Sequence, residues 1–417
     1  MSYFPSLKDI SQARLALNGM VQLTPLTVND VLSEKFGANI LLKREDLQIV
    51  RSYKIRGALN KIKSLTQEQV NKGIVCASAG NHAQGVAYTC NSLGIKGSIY
   101  MPVTTPRQKI QQVRMFGKEY VDVILIGDSF DDANKEALRY CKESEKSFIH
   151  PFDDPKIIEG QGTIGIEIMQ QTQVKVDYLF VPVGGGGLAA GLGAYFKQIS
   201  PETKVIGVEP SGAAGMACSI KQGKVTALDR IDTFVDGAAV KTVGDYTFEI
   251  CRKVLDDIVV VPEGAVCSSI LDLYNLNAIV AEPAGALSIT ALNLYSENIK
   301  GKNVVCIISG SNNDITRMEE IRERSLLFEG LKHYFIIRFP QRSGALLSFI
   351  KDALGPGDDI TYFSYSKKTN REQGPAVLGI ELAEKNDFEP LLIRLNEKNI
   401  KYEYLNDKPD LFSFLIL

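Results

Sequence analysis

Between residues 41 and 308, short apolar runs alternate with longer segments in which apolar residues recur every three or four positions. The runs at 73–77, 97–101, 121–126, 178–183, 205–208 and 304–308 are apolar at successive positions, as strands covered on both faces are. Segments 55–65, 106–115, 128–142 and 188–198 carry the helical period instead. Strand and helix in alternation predict parallel sheet with crossover helices, hence an α/β architecture. There is material for two such sheets, and a cleft between them is a natural ligand site.

The pattern changes after about Asp314. Residues 316–330 are highly charged and read as a connecting helix. Strand 333–339, helix 344–353, strands 360–367 and 376–382, helix 388–399 and strand 401–405 follow in the ferredoxin-like βαββαβ order. Two domains are therefore expected, at 1–322 (with a smaller subdomain at roughly 45–150) and at 330–410.

Composition narrows the function classes. The 417 residues are 45% hydrophobic and 23% charged, with a net charge of −2, so nothing in the balance points to nucleic acid or an anionic membrane. No apolar stretch reaches the roughly 20 residues of a membrane span, and residues 1–16 lack a signal-peptide core. Seven cysteines without a Cys-x-x-Cys pair read as thiols in a reducing cytoplasm. Three histidines far apart in sequence (His82, His150 and His333) give no metal site.

Four segments carry candidate chemistry. Lys54 stands between the charged Lys43-Arg44-Glu45-Asp46-Leu47-Gln48 stretch and a helix, at the mouth of an α/β unit where ligands of such folds bind. Held neutral, its amine can form a Schiff base; otherwise it is a solvated lysine in a charged loop. Gly184-Gly185-Gly186-Gly187-Leu188 follows a strand and opens a helix, which makes either an anion cradle or a flexible turn. A dinucleotide-binding turn is the runner-up, with Glu209 as the ribose acid, but Gly191 falls one position late for that spacing. Ser78-Ala79-Gly80-Asn81-His82 likewise opens a helix and suits a carboxylate, although Ser78 alone also reads as a helix cap. Ser309, at the end of the run 304–308, could meet a ring nitrogen or simply make a turn.

Together these segments resemble the fold-type II pyridoxal-phosphate enzymes, and most closely the threonine ammonia-lyases, or threonine dehydratases. The resemblance is carried by Lys43 to Gln48 with Arg51-Ser52-Tyr53-Lys54-Ile55-Arg56-Gly57-Ala58, by Ser78 to Gly85, by Gly184 to Leu188, and by Glu282-Pro283-Ala284-Gly285-Ala286. It implies that Lys54 holds pyridoxal 5′-phosphate as a Schiff base and serves as the base once the substrate displaces it. It also implies Asn81 at the phenolic oxygen, Gly184 to Leu188 at the phosphate, Ser309 at the ring nitrogen and Tyr53 packed beside the ring. Residues Ser78, Ala79, Gly80, Asn81 and His82 would bind the substrate carboxylate, and Glu282 would lie near the ring edge or be a buried structural carboxylate. The implied reaction is elimination from L-threonine to 2-oxobutanoate and ammonia, and from L-serine to pyruvate.

Residues 338–346, 354–361 and 370–380 resemble the ACT-like regulatory domain of the biosynthetic members. That implies feedback by isoleucine, opposed by valine, in isoleucine biosynthesis, and a cytoplasmic homotetramer. A purely structural dimerisation domain is the alternative. The nearest rival enzyme is serine racemase, but Ala79 stands where that chemistry needs a proton-carrying serine. A catalytically retired amino-acid sensor would have lost Lys54.

Overall fold

The computed structural model describes residues 3–365, 372–408 and 411–412. Residues 366–367 of the expected strand, and Asn370 and Arg371 of the ACT-like resemblance, lie outside them. The chain divides into two compact units, Met1–Thr316 and Arg317–Leu417.

The first unit holds two sheets. The larger runs Leu26–Val28, Asn39–Arg44, Asn303–Ile308, Tyr178–Pro182, Lys204–Pro210, Asp257–Val261, all parallel except the first strand. The smaller runs Val121–Leu125, Gly97–Met101, Ile74–Ala77, Ser147–Phe148 and is parallel throughout. The central strands are buried along their whole length, which is why they read as unbroken apolar runs. Three edge elements have no such signal. Leu26–Val28 is short and largely exposed, Ser147–Phe148 has two residues, and Asp257–Val261 is only half-buried.

A helix that the periodicity did not reveal, Pro155–Gln171, holds the two halves together. It packs on the Lys54–Lys63 helix on one side and the Gly187–Ile199 helix on the other. The reason is its glycines. A Cβ on Gly160 would stand 2.7 Å from the Arg56 carbonyl oxygen, and one on Gly191 2.4 Å from that of Ile158. Backbones at this distance leave no room for side chains, so the apolar stripe that marks an ordinary amphipathic helix is missing. Asp154 caps its start, its Oδ1 accepting from the N–H groups of Lys156 and Ile157.

The second unit starts with the Met318–Glu329 helix. Its four-stranded antiparallel sheet has the order Asp359–Tyr365, Gln373–Glu381, Lys332–Pro340, Tyr402–Tyr404. The Ala345–Ala353 and Phe388–Glu397 helices supply Phe349, Leu391 and Leu395 to a core with Phe335, Ile337, Leu378 and Ile380. That is the ferredoxin-like order.

Candidate active site

Lys54 opens its helix after a stretch that is stitched to a second loop. Tyr53 N–H donates to the Ser309 carbonyl at 3.1 Å, Ser311 N–H to the Arg51 carbonyl at 2.9 Å, and Asn312 Nδ2 to the Val50 carbonyl at 2.9 Å. Arg51 takes a left-handed φ of 58° to make this approach. Two segments more than 250 residues apart in sequence are thus one structural element.

A cavity of about 720 Å³ lies before it. Its wall includes Tyr53, Lys54, Ser78 to His82, Gly184 to Leu188, Pro151, Phe152, Asp236, Glu282 and Asn312. Every expected site residue is on this wall except Ser309, which is buried and meets Tyr53 through its carbonyl. Lys54 Nζ donates to the Pro151 carbonyl at 2.9 Å and has no carboxylate in contact. Burial pulls its amine down to about 8, with Glu282 opposing. A substantial neutral fraction at mild pH makes it a nucleophile and a base.

The glycine loop presents N–H groups for a clear reason. From behind, Thr247 Oγ1 donates to the Gly185 carbonyl at 2.6 Å, and Cys251 Sγ to that of Gly186 at 3.6 Å. A trans peptide sends its N–H opposite its carbonyl, so anchoring the carbonyls turns the amides toward the cavity and the start of the Gly187–Ile199 helix. Side chains would spoil it: a Cβ on Gly185 would land 2.3 Å from the Phe152 ring, and Gly186 has φ 92°. The result is a cradle for a phosphate.

At the third segment, Gly80 occupies the N-cap position without a side-chain bond, and Ser78 Oγ accepts from Gly80 N–H at 3.2 Å. Ser78 therefore shapes the turn before the helix. His82 Nε2 meets the Ile149 carbonyl at 2.9 Å, so that nitrogen carries the proton. Burial holds the ring down to about 3, and His82 is neutral. An anion here is met by backbone N–H groups.

The dinucleotide reading fails on geometry. Glu209 is buried away from the cavity, and its two oxygens accept from the N–H groups of Met216 and Ala217, both at 2.8 Å, capping the Gly215–Gln222 helix. The third glycine, Gly191, serves helix packing. Among the described residues no group of three or more His, Cys, Asp or Glu side chains is placed to hold a metal ion. Nor is any helix among them long and apolar enough to cross a membrane.

Some of the wall had no sequence signal. Phe152, the segment 229–242 with Asp236, and Lys109, which pairs with Asp236, belong to none of the four motifs. Asn312 follows the candidate Ser309 by three residues, but only the fold shows it in contact with Asn81.

A family model described as pyridoxal-phosphate dependent enzyme matches residues 18–310. The chain belongs to this family. Its two parallel-sheet subdomains have the fold-type II arrangement, and residues 323–415 match the C-terminal regulatory domain of threonine dehydratase. The chain is 58% identical over 410 residues to a Halalkalibacterium halodurans protein named L-threonine dehydratase biosynthetic IlvA, covering 98% of this chain and 99% of that one. The processed form of threonine deaminase isoform 2 from Solanum lycopersicum superposes with TM-score 0.72 at 41% identity, over 78% of this chain and 96% of that one. Maize serine racemase reaches the same TM-score at 29% identity, over 78% and 98%. The family's cofactor fits the cavity: a half-buried, neutral-prone amine for its aldehyde and an amide cradle for its phosphate share one wall.

Proposed function

We propose that the chain is a biosynthetic threonine dehydratase that converts L-threonine to 2-oxobutanoate and ammonia, and L-serine to pyruvate. The observation that carries this is Lys54: a half-buried, desolvated amine near 8, sharing a cavity with the glycine cradle, in a chain 58% identical to a named L-threonine dehydratase.

The bound cofactor supplies an electron sink that acidifies the α-proton of the attached amino acid. In this reading Lys54 Nζ holds the cofactor and then takes that proton. The amides of Gly184 to Leu188 hold the phosphate, and Asn81 Nδ2 donates to the phenolic oxygen. Ser309, buried behind the wall, would meet the ring nitrogen as a neutral partner, and Tyr53, on the wall, would pack against the ring. The backbone from Ser78 to His82 binds the substrate carboxylate. Once the β-hydroxyl has left, the released enamine tautomerises and hydrolyses in water. The racemase alternative lacks support because the Ala79 methyl group at the cavity wall carries no proton.

The second unit is assigned as the regulatory domain that responds to isoleucine and, in opposition, valine, in a cytoplasmic homotetramer; the matching domain model supports the regulatory part. Release of 2-oxobutanoate from L-threonine, with and without L-isoleucine, tests both. Product that falls with isoleucine supports the whole reading. Product indifferent to isoleucine keeps the lyase and removes the effector. Absence of product from cofactor-loaded, folded protein overturns the lyase.

A further inference from the structure

Asn81 sits inside a closed set of hydrogen bonds. Its Nδ2 donates to Glu282 Oε1 at 2.6 Å, while its Oδ1 accepts from Asn312 Nδ2 at 2.6 Å. Asn312 main-chain N–H donates to Glu282 Oε2 at 3.1 Å, and its Nδ2 also donates to the Val50 carbonyl. Turning the Asn312 amide over would set its oxygen against two acceptors, Val50 O and Asn81 Oδ1. The observed orientation avoids that and leaves Asn312 Oδ1 buried without a partner. An ionised carboxylate can only accept. Glu282 and Asn312 therefore dictate which end of the Asn81 carboxamide is nitrogen, and one N–H of Nδ2 stays available to the cavity. Glu282 packs closely against two glycines. A Cβ on Gly310 would stand 2.5 Å from its Oε1, and one on Gly237 3.3 Å.

We infer that Glu282 and Asn312 are positioning residues that hold the Asn81 amide with an N–H toward the cofactor's phenolic oxygen. This rests on the reading of Asn81 under Proposed function. The frame is strongest with the carboxylate charge, because a protonated Glu282 turns one of the two oxygens that accept from Asn81 Nδ2 and the Asn312 N–H into a donor, leaving Asn312 alone to orient the Asn81 amide. Burial, with Asp236 adding, lifts Glu282 to about 7, while Asn81, the Asn312 N–H and Lys109 pull it back. The other ionisable groups acting on it are Lys54 and Tyr53 at the start of the Lys54–Lys63 helix. The frame thus weakens as pH falls through about 7.

The test uses full-length Glu282→Gln and Asn312→Ala, with Asn81→Ala and the Asn81→Ala/Glu282→Gln double variant. Thermal melting establishes folding, and the readouts are the pyridoxal phosphate dissociation constant and kcat against pH. Glu282→Gln is expected to weaken cofactor binding about tenfold, the size of one charge-assisted hydrogen bond, and to erase the limb of kcat that rises through about pH 7 in the parent. On the Asn81→Ala background it should add almost nothing, since both act through one amide. Parent-like affinity and an unchanged limb in Glu282→Gln, or a loss that adds in full to that of Asn81→Ala, would overturn the inference. Should Glu282→Gln fail to fold, Asn312→Ala is held to the affinity and additivity criteria, since it leaves the titrating carboxylate in place. An Asn81→Ala variant with parent-like affinity and turnover removes the Asn81 assignment itself, and the positioning role with it. An impaired Asn81→Ala beside an unimpaired Glu282→Gln removes the positioning role alone.

Discussion

Lys54 and Arg56 stand two residues apart on one helix, Lys54 half-buried at the cavity wall and Arg56 fully buried, yet the two cations meet opposite fates. Arg56 donates to Glu45 and Glu167 through four bonds of 2.7–2.8 Å, and Lys43 joins the same cluster through Glu167 at 2.7 Å. Burial would lower Arg56, but Glu45 and Glu167 outweigh it and hold the guanidinium above its ordinary value. Burial would likewise raise the Glu167 carboxyl, and Arg56 and Lys43 hold it down instead. Lys43 donates to Glu167, the Thr24 carbonyl and Gln171, yet only one of these partners is charged, and burial pulls it down against Glu45 and Glu167. Lys54 has a carbonyl and the Tyr53 ring, 5.4 Å from Nζ to the centroid, but no carboxylate in contact, so desolvation wins and brings it to about 8. Paired buried charges make a rigid footing, and an unpaired one becomes a reagent.

The largest expected effect breaks the reagent side. Lys54→Ala should remove the visible absorbance of bound cofactor and reduce threonine turnover by about 10⁴-fold; retention of both would take Lys54 out of its role. The footing side is next. Arg56→Met leaves Glu45 and Glu167 facing each other in the core, and a loss of about 3–5 kcal/mol in denaturant unfolding is expected. A loss below about 1 kcal/mol would show that water reaches the cluster.

A third experiment sharpens the contrast directly. Burial favours the uncharged amine, so the neutral fraction of Lys54 grows as pH rises through about 8. Covalent uptake of pyridoxal phosphate by cofactor-free protein should rise over that range, relative to a free-lysine reaction that rises near about 10.4. Coincident profiles would mean that Lys54 is solvated. The smallest effect is expected at Tyr53, whose hydroxyl has no hydrogen bond within the described protein. Tyr53→Phe should change stability by less than about 1 kcal/mol in the cofactor-free protein, measured by thermal melting. A larger loss would reveal a partner supplied by ordered water.

Much of the α/β alternation was legible because buried parallel strands must be apolar throughout, and the ferredoxin-like order was legible from its spacing. The Pro155–Gln171 helix was not, since its glycines exist for backbone contact with Arg56 and Ile158 and erase the periodic stripe. The site divides in the same way. The motifs around Lys54, Asn81 and Gly184 announce themselves because each is a local device, a turn feeding a helix start. Phe152 carries no local sign, and Glu282 stands in a recognisable segment that leaves its role open, because what they do depends on what they touch.

The sequence by itself determined the central strands and the amphipathic helices, the order of the motifs and the family, all properties of residues close together in the chain. Only the tertiary structure decided that Lys54 is unpaired while Arg56 is paired, that the glycine-loop carbonyls are tied from behind, and that Glu282 governs the Asn81 amide. Charge state and hydrogen-bond direction are set by neighbours in space, and those neighbours come from segments up to 262 residues away.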